Sequence, residues 1–117
     1  MQPDTWYAIH ALTGWLNSTN ELTPHELTLR IMKIGEEFGE VVNAHIGTIG
    51  QNPRKGTYAT RSDVAKELCD VIVTAMVALN SMTGNVDETR DIFGSHLAGL
   101  LSRVDQMNGF AGLSRDG

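Results

Sequence analysis

The sequence has little cysteine and no long hydrophobic run. Cys69 is the only cysteine among 117 residues. This excludes an internal disulfide and a cysteine-based zinc site, and it fits a reducing, cytoplasmic compartment, where we expect Cys69 to be a buried thiol. The longest apolar run, residues 71–79, is interrupted by Thr74 and falls well short of the roughly 20 residues that a membrane span needs. We therefore expect no membrane partner.

Positive charge is also scarce. Nine Lys and Arg residues stand against fourteen Asp and Glu residues, which gives a formal net charge of −5. This balance argues against a protein that holds nucleic acid by general electrostatic attraction, but not against binding of small phosphates through a metal. No Lys or Arg precedes the short apolar stretch near residue 10, so the first residues do not predict a secretory signal.

Signals for β-strands are nearly absent, because no stretch alternates apolar and polar residues with period two. Apolar residues recur at helical spacing in four segments instead. The predicted helices cover residues 4 to about 17, 24 to about 46, about 62 to 83 and about 86 to 107. We therefore expect one all-α domain over residues 1–117, a four-helix and mostly antiparallel bundle, with a flexible, Gly-rich tail over residues 109–117.

Three local patterns mark the boundaries of these helices. Thr23, Pro24 and Glu26 predict a capping box with proline at the first helical position. Gly84 is a suitable residue to end the third helix. Residues 47–60 contain three glycines and a proline, which predicts a long loop of the kind that often carries function.

Two pairs of carboxylates lie beside the apolar stripes of the second and third helices. Glu37 and Glu40 are three residues apart, as are Glu67 and Asp70, so each pair shares one helix face. If the two helices pack antiparallel, the four acids converge and repel, and a cation or a proton must lie among them. Oxygen ligands favour Mg²⁺ or Mn²⁺ over zinc. The periodicity alone also allows a solvated acidic face.

The segment KIGEEFGEVVNA followed by KELCDVIVTAMVAL resembles the EExxE…ExxD signature of the all-α, MazG-like nucleoside triphosphate pyrophosphohydrolases. The resemblance covers about residues 27 to 79. It implies that Glu37, Glu40, Glu67 and Asp70 hold Mg²⁺. Glu36 matches the first glutamate of the signature and could take a second metal, orient the attacking water, or simply be exposed.

The resemblance also implies an activity and an assembly. Water would attack a nucleoside triphosphate between the α and β phosphates, giving a monophosphate and pyrophosphate. Members of this family are dimers or tetramers, so we expect a homodimer or homotetramer that completes this small bundle and its site.

Five residues are candidates for contacting such a substrate: Lys33, Arg54, Lys55, Trp15 and Asn80. Lys33 precedes Glu37 by one turn on the same stripe. Arg54 and Lys55 could close over the phosphates from the loop, although a solvated loop explains them as well. Trp15 could stack on a base or belong to the core, and Asn80 could reach a sugar or a phosphate.

Three other functions are compatible with parts of the pattern. Phosphoribosyl-ATP pyrophosphohydrolase has a similar glutamate-rich motif. A ferritin-like di-iron protein needs Glu-x-x-His pairs, but the residue three after Glu67 is Asp70, and no such pair occurs. A non-catalytic helical interaction module remains the third alternative, although buried carboxylates without a metal are costly.

Overall fold

The computed structural model describes residues 4–108, and this part of the chain consists of four α-helices without a strand. The helices are α1 (Thr5–Thr19), α2 (Pro24–Ile49), α3 (Arg61–Thr83) and α4 (Val86–Asn108). The predicted all-α, four-helix fold is confirmed. No helix within residues 4–108 combines the length and apolar character needed to cross a membrane. The predicted flexible tail lies outside the described residues.

The capping box that the sequence predicts at the start of α2 forms only in part. Thr23 Oγ1 accepts the N–H of Glu26 at 3.1 Å. The Thr23 N–H, however, donates to the carbonyl of Glu21, and the Glu26 carboxylate accepts from Arg30 instead. This pairing removes the reciprocal half of the box, because a carboxylate that holds a buried guanidinium is not available to its N-cap.

A complete capping box, which the sequence analysis missed, starts α3. Thr60 Oγ1 accepts the N–H of Asp63 at 3.2 Å, and Asp63 Oδ2 accepts the N–H of Thr60 at 2.8 Å. At the other end of α3, Gly84 has a left-handed conformation with φ of 69°, as predicted for a helix-ending glycine. Gly50, also left-handed, ends α2 three residues later than predicted.

The α2 and α3 helices pack antiparallel along most of their length. At one end, the carbonyl of Gly47 accepts the N–H of Tyr58 at 3.0 Å. At the other end, Arg30 Nη1 donates to Ser81 Oγ at 3.0 Å. The buried hydrophobic side chains between these ends and under α1 are Ile9, Val41, Ala44, Val77 and Ala78.

The α1 helix and the start of α4 close over one side of this pair. The Trp6 and Phe93 rings lie 5.7 Å apart, and Arg90 bonds to Asp4 at 2.9 Å. Residues 91–104 of α4 are exposed. Cys69 is exposed too, so the prediction of a buried thiol was wrong; it follows Leu68 on the outer side of α3, which no described residue covers.

We expect Asp63→Asn to destabilise the protein at neutral pH. Hydrogen bonds from the backbone N–H and then the hydroxyl of Thr60 hold the pKa of Asp63 below its ordinary value. The stabilisation is therefore present above the ordinary aspartate pKa and is lost as the pH falls through the lowered pKa. Urea unfolding should show wild type and variant converging in strong acid. Thr60→Ala should lower the free energy of unfolding by about 1 kcal/mol at neutral pH.

A difference in unfolding free energy between wild type and Asp63→Asn that does not change with pH would contradict this account.

Candidate metal centre

Three carboxylates from two helices meet on the seam between α2 and α3. Glu37 on α2 and Glu67 and Asp70 on α3 each place one carboxylate oxygen within 4.8 Å of the others. The three-residue spacing of Glu67 and Asp70 puts both side chains on the same face of α3. This is the face of α3 that lies against α2, next to Glu37. The structure thus brings together three of the four acids predicted as metal ligands.

The two remaining acids of the signature lie at the edge of this cluster. Glu40 is exposed and is outside the group of three, but its negative charge is near enough to raise the pKa of Glu67. The Glu36 side chain is 71% exposed and pairs with Lys33 at 3.6 Å. Glu36 therefore lies on the solvent side of α2 rather than among the other carboxylates.

The carboxylates of the cluster act on one another. Partial burial, followed by the charges of Asp70, Glu40 and Glu37, raises the pKa of Glu67. In the described part of the chain, the one cation paired with the cluster is Lys33, whose Nζ lies 3.4 Å from Glu37. Neighbouring carboxylates without cysteine or histidine fit a hard divalent ion such as Mg²⁺ or Mn²⁺.

A cavity of about 180 Å³ opens next to the cluster, where α1 crosses the α2–α3 pair. Its lining is mostly apolar, with Val73 and Val77 from α3 and the Trp15 ring from α1. Lys33 lines it as well, and so separates the cavity from the carboxylates. Two of the predicted substrate contacts, Trp15 and Lys33, are therefore on the wall of the same cavity.

Arg30 is a residue of this region that the sequence analysis missed. Its side chain is only 6% exposed, and it lines the cavity. The sequence carried one weak signal for it, the four-residue spacing from Glu26, which is usually a surface ion pair. Burial of the guanidinium depends on Asn17 and Ser81, which come from two other helices.

The other predicted substrate contacts are not next to the carboxylates. Asn80 is 1% exposed, with Nδ2 3.0 Å from His10 Nδ1 and Oδ1 accepting from Thr89 Oγ1 at 3.1 Å. Its amide is thus part of the core network that joins three helices, a correction to its predicted role as a sugar or phosphate contact. Arg54 and Lys55 are exposed on the connection between α2 and α3.

Three features follow one another along the α2–α3 pair. The cavity lies towards the start of α2, the carboxylates near the middle, and the basic connection at the far end. No family model, curated protein or solved structure matches this chain. What the chain does is therefore inferred from these three features and from the acidic motif.

We expect Glu67→Gln to raise the melting temperature of the metal-free protein at neutral pH. The substitution removes one negative charge from a cluster whose mutual repulsion already disfavours ionisation of Glu67. Added Mg²⁺ or Mn²⁺ should raise the melting temperature of the wild type, because an ion that binds only the folded state stabilises it by mass action. The rise should be smaller in Glu67→Gln and Asp70→Asn. Differential scanning calorimetry measures both effects.

The matched control is Glu21→Gln, which removes the same charge from the connection between α1 and α2. This control should keep the wild-type response to the metal. If all variants respond to Mg²⁺ and Mn²⁺ like the wild type, the three carboxylates are a solvated face and hold no ion.

Proposed function

We propose that this chain is a MazG-like, Mg²⁺-dependent pyrophosphohydrolase of nucleoside triphosphates that acts in the cytoplasm. The observation that carries the proposal is the approach of Glu37, Glu67 and Asp70 to within 4.8 Å of one another. Acids of a sequence motif that converge from two helices, against their own repulsion, are explained by a cation that they share. The acidic motif over residues 36–70 supports the assignment to this family.

The proposed reaction is the addition of water to the α-phosphorus of the substrate. A new bond forms between the water oxygen and the α-phosphorus, the bond to the α–β bridging oxygen breaks, and pyrophosphate leaves with that oxygen. Mg²⁺, held by Glu37, Glu67, Asp70 and the adjacent Glu40, would neutralise charge on the phosphate oxygens and help to ionise the water. Glu36 would orient that water or take its proton only after leaving its pair with Lys33 and turning from the solvent side towards the other carboxylates.

The order of groups along the α2–α3 pair suits an extended nucleotide. Lys33 precedes Glu37 by four residues, about 6 Å along the helix, so its ammonium can contact a phosphate next to the carboxylates. Arg54 and Lys55 are on the connection at the end of the pair opposite the cavity. They would meet the outer phosphates, where cations stabilise the leaving pyrophosphate, only if this connection closed over the carboxylates.

We expect Asp70→Asn and Glu40→Gln to lower the rate of pyrophosphate release by roughly a hundredfold or more, because each removes a charge that stabilises the transition state through the metal. The measurement is pyrophosphate release from a panel of (d)NTPs with Mg²⁺, together with phosphoribosyl-ATP as the competing substrate. Glu21→Gln should keep the wild-type rate. Full activity in Asp70→Asn, or no pyrophosphate from any substrate, would refute the proposed reaction.

We further propose that the protein is a homodimer or homotetramer in which α4 packs on α4 of a second copy. The stripe of α4 consists of Phe93, Leu97, Leu100, Val104 and Met107, all exposed. Its spacing alternates between four and three residues, which is the 3.5-residue period of helices that pack in parallel or antiparallel pairs. In a dimer with a two-fold axis, both subunits use the same surface at the interface. The apolar stripe of one α4 would then pack against the apolar stripe of the other.

Size-exclusion chromatography with light scattering should give a mass of two or four times the 12.8 kDa of one chain. The double variant Leu97→Glu with Leu100→Glu should lower this mass, because it buries charges in the interface. The control is Ser95→Glu with Ser102→Glu, which adds the same charges on the opposite side of α4 and should keep the wild-type mass. A wild-type monomer at micromolar concentration would contradict the assembly.

A further inference from the structure

The α2–α3 pair has a second face, on the side away from the carboxylates, and residues 4–108 leave it largely uncovered. We call it the hairpin face. Its large apolar side chains, which are between 41% and 61% exposed, are Ile31, Phe38, Val42, Ile49, Leu68 and Ile72. Successive helix residues are about 100° apart, so Phe38 and Glu40 lie about 160° apart around α2. The same two-residue spacing separates Leu68 and Ile72 from Asp70. The hairpin face and the carboxylates are therefore on opposite sides of the pair.

The hairpin face carries no charge over most of its length. From residue 31 to 49 of α2 and from 64 to 83 of α3, every Asp, Glu, Lys and Arg lies at least about 100° around its helix from the apolar stripe. Charged residues nevertheless make up 20% of the chain. Depletion of charge at the centre of a patch is the composition that distinguishes an interface from the ordinary surface. The face is therefore suited to contact with another protein surface rather than with water.

We propose that the hairpin face packs on the hairpin face of a second copy of this chain, about a two-fold axis perpendicular to α2 and α3. In such a pair residue i contacts residue j, and j contacts i. The surface therefore has to be complementary to its own rotated image. The sizes and positions of its side chains satisfy this condition on both helices.

On α2, the condition selects an axis between Gly35 and Phe38. Gly35 interrupts the apolar stripe three residues before Phe38, and a Cβ added to it would meet no atom within 4 Å. An axis midway between the two residues places the Phe38 ring of one copy over the gap at Gly35 of the other. The same axis places Ile31 opposite Val42. Large side chains then face small ones, which lets facing layers interdigitate.

On α3, the same axis gives a second matched pair. The carboxylates of Glu37 and Asp70 meet across the seam, so an axis that crosses α2 next to Glu37 crosses α3 near Asp70. Leu68 and Ile72 are each two residues from Asp70, and the axis therefore places Leu68 of one copy opposite Ile72 of the other. One axis position, chosen from α2 alone, thus also pairs the exposed apolar residues of α3.

The area of the face is sufficient for a stable dimer. Residues 31–49 span about 27 Å at 1.5 Å per residue, and two helices packed side by side are about 20 Å wide. Each copy therefore contributes about 500 Å² in flat projection, and the two copies together reach the roughly 1,000 Å² that a biological interface should exceed once the relief of the side chains is added.

The hairpin face is distinct from the apolar stripe of α4. If α4 also associates, two separate two-fold interfaces give a homotetramer, whereas the hairpin face alone gives a homodimer. The inference is independent of the proposed reaction, because the candidate metal centre lies on the opposite side of the pair. Failure of the chain to release pyrophosphate would leave it standing.

Size-exclusion chromatography with light scattering tests the interface. Phe38→Glu should halve the wild-type mass, because it buries a charge between two copies, and Ile72→Glu should do the same from α3. The control Met32→Glu adds the same charge on a residue that is 66% exposed and about 100° around α2 from Ile31, and it should keep the wild-type mass. An unchanged mass in Phe38→Glu would overturn the inference, and the face would then belong to a different partner.

An exchange of side chains tests the register without adding charge. Gly35→Phe sets two rings against each other across the axis and should halve the mass, although within one copy the added Cβ meets no atom within 4 Å. Combining it with Phe38→Gly moves the gap to the other side of the axis and should restore the wild-type mass. Circular dichroism should show wild-type helix content in both variants. The wild-type mass in Gly35→Phe, or no recovery in the combined variant, would overturn the proposed axis.

Discussion

The antiparallel packing of α2 against α3 determines the position of every group in the candidate site. The two helices are tied at one end by the contact between Gly47 and Tyr58 and at the other by the bond between Arg30 and Ser81. Gly47 allows the first contact, because an added Cβ would lie 2.7 Å from the Tyr58 ring. With both ends fixed, the register of Glu37 against Glu67 and Asp70 is fixed as well.

This register places like charges on the seam rather than on the solvent side of each helix. Burial and the neighbouring acids raise the pKa of Glu67, so the metal-free cluster opposes the packing that forms it. The opposing contribution comes from Arg30 and its three partners, together with apolar side chains such as Val41 and Val77. Perturbed pKa values in a cluster of carboxylates are found at functional sites and also in structural networks of charges.

The same scaffold leaves much apolar surface uncovered. Only five hydrophobic side chains are buried among residues 4–108, whereas large ones such as Phe38, Ile72 and Leu97 are about half exposed. A continuous apolar stripe, such as the one along α4, is typical of chains that associate. The α4 helix carries the most regular stripe, and its first turns are attached to α1 through Arg90 and Phe93. An interface on α4 would therefore be linked, through α1, to the wall of the cavity that α1 provides.

The helices themselves were predictable from local sequence, because helical periodicity, the N-cap at Thr23 and the left-handed Gly84 act over a few residues. The pairing of Glu37 with Glu67 and Asp70 could be predicted as well, since it needed only two amphipathic helices and an antiparallel connection. This much of the fold and of the candidate site was determined by short-range pattern.

Tertiary structure determined which polar side chains are buried, and local sequence patterns do not predict this. Asn80 looked accessible by periodicity, but contacts with His10 and Thr89, distant in sequence, make it a core residue. Arg30 was missed, because its four-residue spacing from Glu26 is that of an ordinary surface ion pair, whereas Asn17 and Ser81 bury it beside the cavity. The burial of a side chain and the pairing of its hydrogen-bond donors depend on several helices at once. The spacing of residues along one helix does not show which side chains another helix brings next to it.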